Sequence, residues 1–165
     1  PVGGLMVFAR TSKAAARLSA QVSTHEMGRE YLCVVTGPVE DSFTLTDYLI
    51  KDERLNLVEV CEADVKGAKE AILHGQCVAR REGTALCTIQ LETGRNHQIR
   101  VQMSHAGAPL WGDNRYGHGI PGQPIALFAW RLQVTHPTRK EPVVFCALPS
   151  GGAFEAYRPV LEELT

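Results

Sequence analysis

TALCTIQLETGRNHQIRVQMSHAG, running from Thr84 to Gly107, carries two secondary-structure periods end to end. In its first third Ala85, Cys87, Ile89 and Leu91 alternate with the more polar Thr88, Gln90 and Glu92, the two-residue period of a strand with one wet face. After Thr93-Gly94-Arg95 the period changes. Ile99, Met103 and Ala106 fall at i, i+4 and i+7, the spacing of one helix face, and Gly107 supplies a left-handed stop before Pro109. Asn96 is the expected cap, because its short side chain can accept from the free N–H groups of a first turn. The stretch predicts a strand, a glycine turn and a helix over residues 96–106. A glycine turn before a helix start is also a general anion-binding arrangement, with Arg95 adding charge; a plain capped helix has the same appearance. Spacing alone leaves both readings open.

Working outward, residues 4–9 form a short apolar run read as a buried strand, and Ser12 is placed to cap a helix whose stripe is Ala15, Leu18 and Val22. Residues 31–36 are β-rich and stop at Gly37-Pro38. Residues 44–49 and 57–63 are further strands. Residues 68–74 have a helical composition but are short for a helix. Downstream, Gly117 to Pro124 reads as a surface loop, and residues 125–135 and 142–148 as two strands around a hairpin-sized connection. Strands outnumber helices and are mostly consecutive. The class is therefore α+β, a mixed and largely antiparallel sheet with flanking helices. With no repeat, low-complexity tract or long linker, residues 1–165 are read as one domain.

Composition narrows the function classes. At 165 residues, 44% hydrophobic and a net charge of −1, the chain has material for a core and lacks the signature of disorder. No run approaches the roughly 20 apolar residues of a membrane span. Cys33, Cys61, Cys77, Cys87 and Cys146 are odd in number and include no C-x-x-C pair, so neither a disulfide framework nor a zinc ribbon is suggested, and they read as small core hydrophobes. Residues 40–64 carry a net charge of −6, which masks a basic remainder in which arginine predominates. That remainder suits phosphate contacts, or simply a solvated mixed surface. His97 and His105 lack the i, i+4 spacing of a helical metal pair, and Asp113 reads as a turn residue capping backbone N–H groups.

Three blocks carry a resemblance. Residues 91–102, LETGRNHQIRVQ, followed by 105–117, HAGAPLWGDNRYG, resemble the best-known signature of the RluA-type family of RNA pseudouridine synthases. Residues 29–37, REYLCVVTG, are similar to that family's tyrosine-bearing strand, and residues 1–11, PVGGLMVFART, to the strand that follows its H-R-L-D motif. Asn96, Gln102 and Trp111 depart from the usual residues, which is expected to touch surface chemistry more than fold. The resemblance makes residues 68–81 a strand against local propensity.

The resemblance implies an isomerase that breaks the N1–C1′ bond of a uridine in rRNA or tRNA and rejoins the base through C5, with no cofactor and no metal. It makes Tyr31 the ring on which the flipped base stacks and Arg100 the cation that keeps a catalytic aspartate ionised. Val101 is expected to line the base pocket, and Arg95 and His97 to touch the RNA. The family's aspartate lies in H-R-L-D, upstream of the residues matching Pro1, and no aspartate here has a matching context. The expectation is a catalytic domain without its nucleophile, inactive alone, monomeric, and cytoplasmic or in an organelle such as the mitochondrion. The alternative is a non-catalytic RNA-binding paralogue of the same fold.

Overall fold

The computed structural model describes residues 2–165. Its strands are β1 (Gly3–Gly4), β2 (Gly28–Thr36), β3 (Ser42–Asp52), β4 (Leu57–Cys61), β5 (Lys69–Arg81), β6 (Thr84–Leu91), β7 (Leu127–Thr135) and β8 (Pro142–Cys146). The helices are α1 (Ser12–Ser23), α2 (Gln98–His105) and α3 (Arg158–Glu162), the last preceded by a 3₁₀ turn at Gly152–Tyr157. All eight strands join one sheet in the order β1-β7-β2-β6-β5-β3-β4, with β8 also on β7. Among the described residues only the β1–β7 pairing is parallel. The expected α+β class with a largely antiparallel sheet is what the chain forms.

The sheet has helices on both faces, and β2 shows why. Its residues Leu32 to Val35 are all fully buried, the continuous apolar run of a strand covered twice rather than the alternation of one with a wet face. Cys33 and Val35 pack with Cys87, Ile89 and Leu73 beneath Ile99 and Met103 of α2. Leu32 and Val34 pack with Leu86 and Trp130 beneath Phe154, Tyr157 and Leu161 of the C-terminal segment. α1 covers the end of β7 through Leu18, against Leu132 and Val134.

Several local expectations are corrected. The N-terminal run pairs only through Gly3 and Gly4, with a last bond from Leu5 N to Ala129 O. Beyond it the backbone turns away, and Met6 and Phe8 are among the most exposed apolar side chains. α1 is capped by Thr11, whose hydroxyl accepts from Ala14 N, and buries Leu18 and Gln21 while Val22 faces outward. Asn96 does not cap α2. His97 occupies that position with φ +52 and gives no side-chain cap. The Gln98 side chain instead ties down the turn ahead of the helix, its amide oxygen accepting from Arg95 N and from the Thr93 hydroxyl, each at 2.9 Å. The Gln98 amide nitrogen donates to Ile72 O, which ties the turn to β5. Gln102 is an interior residue, fully buried, donating to Ala71 O and to the Asp47 carboxylate.

Candidate active site

Tyr31 sits at a bulge. Between Glu30 and Tyr31 the pairing of β2 with β7 skips one residue, Trp130, whose carbonyl accepts instead from Ala147 N. A bulge locally twists a strand and re-aims its side chains. Tyr31 borders a cleft of about 910 Å³ between β2, the turn leading into α2, and residues 112–127. Leu91, Ile99, Ile125 and Leu127 supply apolar wall; Arg95, His97, Arg100 and Arg115 supply charge and hydrogen-bond donors; Val2 reaches the same space.

Tyr31, Arg95, His97 and Arg100 thus meet in one cavity. Val101 does not. It faces the other way, 5% exposed, among Leu49, Val58 and Ala71, because the residue after Arg100 lies about 100° further round the helix. The apolar lining expected of Val101 comes from Ile99 and the strand residues.

Arg100 has a carboxylate partner within the chain. Its Nε donates to Asp113 Oδ2 at 2.9 Å and its Nη2 to Asp113 Oδ1 at 2.8 Å, the two-pronged geometry that only a planar guanidinium offers. Asp113 is 1% exposed, and its Oδ1 also accepts from Arg115 N and Tyr116 N, so the turn-capping role read from sequence is present. Burial pushes its carboxyl up, but the Arg100 guanidinium and the turn N–H groups outweigh that, and the group stays below the ordinary aspartate value. The charge that the resemblance assigned to a nucleophile's partner is held by Asp113, and this pair was not foreseen.

A second layer fixes the first. The Arg100 guanidinium lies 5.0 Å from the centre of the Tyr116 ring, a cation–π contact. The Tyr116 hydroxyl accepts from Val58 N at 3.0 Å and meets His97 Nδ1 at 2.7 Å. With one hydroxyl lone pair taken by Val58, the arrangement that leaves no O–H unpaired has Tyr116 donating to Nδ1. That makes His97 the Nε2–H tautomer. Burial pushes the His97 pKa down, and the positive charges of Arg100 and Arg115 push it further. His97 is therefore a neutral donor on the cleft wall. Tyr116 and Asp113 were missed as a site. Their signal was present as an Asp three residues before a Tyr in a glycine-bounded turn, the spacing that lets a carboxylate cap the Tyr N–H.

The remaining cations are not neutralised. Arg95 donates from Nε to Glu70 O, and Arg115 from Nη1 to Asn56 O; neither is in an ion pair among the described residues. Among the described residues none that lines the cleft is acidic. Among the described residues no group of three His, Cys, Asp or Glu side chains is placed to hold a metal ion, and no helix is long and apolar enough to cross a membrane.

Comparison with known proteins follows the same lines. Residues 1–105 match the profile of the family described as "RNA pseudouridylate synthase". A "tRNA pseudouridine synthase C" of Vibrio cholerae is 28% identical over 183 aligned residues, covering 99% of this chain and 73% of that protein. A "Ribosomal large subunit pseudouridine synthase D" of Xanthomonas campestris is 32% identical over 157 residues, covering 85% of this chain and 46% of the relative. The chain thus spans less than half of this second relative's length. Among solved structures, "Human RNA Pseudouridylate Synthase Domain Containing 1" superposes with a TM-score of 0.71 at 20% identity, covering 92% of this chain and 73% of that one.

Proposed function

We propose that this chain, which belongs to the RNA pseudouridylate synthase family, holds a flipped-out uridine of rRNA or tRNA in its cleft for isomerisation to pseudouridine. The observation that carries the reading is the meeting of Tyr31 and a rigidly held Arg100 in one cleft whose described lining residues include cations and no acid. Extracting a base from a folded RNA costs a few kcal/mol and needs a stacking surface in return. Tyr31 offers the ring, and its hydroxyl is available for proton transfer at C5. Arg100 contributes fixed positive charge; Arg95 and Arg115 face the RNA backbone; His97 donates to an acceptor on the base or sugar. The compartment is the cytoplasm or an organelle matrix.

In the reaction the N1–C1′ bond breaks, the base turns and C5 bonds to C1′, while the proton leaves C5 and N1 gains one. A carboxylate is required at the sugar or base. Asp113 is not assigned that part, because both of its oxygens are engaged by Arg100 and the turn. The roles assigned to this chain are binding, stacking and charge placement. That commitment of Asp113 also favours a second reading, an RNA-binding domain of the same fold without turnover.

The test has two arms. RNA exposed to the 165-residue chain is expected to remain unmodified, as read by carbodiimide adduct mapping, while uridine-containing RNA binds. The full gene product is expected to form pseudouridine, and Tyr31→Phe in it to abolish turnover with binding retained. Formation of pseudouridine by the full product rules out the second reading. A Tyr31→Phe variant with full activity rules out the first.

A further inference from the structure

Beside the cleft lies a smaller groove of about 250 Å³, and Tyr31 is a wall common to both. Its other sides include Met6 and Phe8, from the segment after β1, and Arg29 on β2. Phe8 and Met6 are 79% and 76% exposed, the most exposed large apolar side chains among the described residues. An aromatic ring so placed gains little from the fold itself and points to a contact beyond it.

Arg29 is the second feature. Among the described residues it has no carboxylate partner, whereas Arg131 on the same groove is neutralised by Glu30 at 2.6 Å. Its guanidinium rests on Gly94, so closely that a Cβ there would stand 2.6 Å from Arg29 Nη2. The glycine of the Thr93-Gly94-Arg95 turn therefore makes a seat for this side chain. Packing of that kind holds a guanidinium in place while leaving its donors free for a planar or phosphate acceptor.

A free aromatic face beside an unneutralised guanidinium is the combination that single-stranded nucleic acid uses, with a base stacked on the ring and a backbone phosphate on the cation. An apolar peptide would be served by Met6 and Phe8 but would leave the Arg29 donors unpaired as they lost water. We propose that this groove is the subsite for the nucleotide next to the target uridine, with Phe8 stacking its base and Arg29, seated on Gly94, binding the intervening phosphate. The proposal rests on the reading that Tyr31 faces the target base; the shared wall then sets the two sites one nucleotide step apart.

The probe is fluorescein-labelled pentauridylate, titrated with the 165-residue chain over a range of salt, beside a pentamer whose central residue is abasic. Arg29→Gln is expected to weaken pentauridylate binding roughly fivefold to tenfold and to lower the slope of log K against log salt by about 0.7, the value for one phosphate contact on a single strand. Arg29→Lys is expected to keep that slope. Gly94→Ala, whose Cβ would displace the guanidinium without removing its charge, is expected to fall between Gln and the unaltered chain. Phe8→Ala is expected to cost fivefold or more. An unchanged salt slope in Arg29→Gln, or Phe8→Ala binding as tightly as the unaltered chain, overturns the subsite. If either occurs while Tyr31→Ala erases the preference for pentauridylate over the abasic pentamer, only the subsite fails. If Tyr31→Ala leaves that preference intact, the assignment of the main cleft fails. Absence of pentauridylate binding by the unaltered chain overturns both, and tighter binding of an apolar peptide than of pentauridylate turns the groove into a protein-docking surface.

Discussion

Replacing Asp113 by asparagine tests whether the Arg100–Asp113 pair holds the cleft together. The substitution preserves shape and leaves one oxygen to accept from Arg115 N and Tyr116 N, so the turn keeps its cap. What changes is the other prong. An amide NH₂ replaces Oδ2 and faces Arg100 Nε, which donates at 2.9 Å, and two donors then oppose each other. Arg100, with a side chain 17% exposed, is left as a poorly hydrated charge without its counterion. Removing one member of such a pair typically costs 3–5 kcal/mol, and the retained turn bonds place this case near the lower end, about 3 kcal/mol. For a chain of this size that corresponds to a fall in Tm of roughly 6–12 °C. Urea unfolding followed by the fluorescence of Trp111 and Trp130 is the assay, with the midpoint falling and the m-value unchanged. The double variant Arg100→Met with Asp113→Asn removes the stranded charge and is expected to be no less stable than Asp113→Asn alone. The sign with pH follows from the lowered carboxyl. Its stabilising contribution is complete above the unfolded-chain aspartate pKa, near 3.9, and is lost as pH falls through the lower folded value. Asp113→Asn should lack that acid-limb component. A cost under about 1 kcal/mol, or strictly additive single and double variants, refutes the argument.

His97 should titrate below the ordinary histidine pKa in an NMR pH series, because burial and then the neighbouring arginines disfavour its charged form; its contribution to stability is present above the unfolded value and lost as pH falls through the folded one. Replacing Arg115 by Gln should move that midpoint upward by removing one of the repelling charges. Gly112→Ala should destabilise by about 3 kcal/mol, since φ is +77 and the new Cβ would lie 2.2 Å from Pro124 O; denaturant midpoints measure it. Leu161→Ala, at a fully buried position beneath the sheet, should cost 2–5 kcal/mol by the same assay.

How much of this was legible in the sequence depended on how local each cause is. The bounds of β6 follow from the alternation of Thr84 to Leu91, a property of that segment alone, but its second face is not wet: Leu86 is fully buried beneath the C-terminal segment. β5 carries Ala, Gly and His residues that favour no strand by themselves; its pairing with β3 and β6 imposes the conformation, and only the resemblance indicated it. Hydrophobicity predicts a buried strand over residues 4–9, but the backbone leaves β7 after Leu5 and the apolar side chains of Met6 and Phe8 are exposed. The α2 start departs from the Asn96 expectation because Gln98 holds the preceding turn and Ile72, a bond to another strand that no local rule contains. The C-terminal 3₁₀ turn and α3 are too short to display a period. At the site, Asp113 was recognisable as a cap, but its pairing with Arg100 joins a turn to a helix across the cleft wall. The resemblance places Val101 in the base pocket, whereas the helical rotation after Arg100 turns it inward among Leu49, Val58 and Ala71.

The doubly covered β2 has a mechanical consequence for the cleft it borders. Its amide ladder is bonded on both sides, to β6 and to β7, so hydrogen exchange there should require near-global opening. The opposing wall includes Gly122, Gln123 and Pro124, which lie outside the strands and helices of the described residues. Exchange should be faster there than along β2, so the tyrosine side of the cleft keeps its shape through fluctuations that open the far rim.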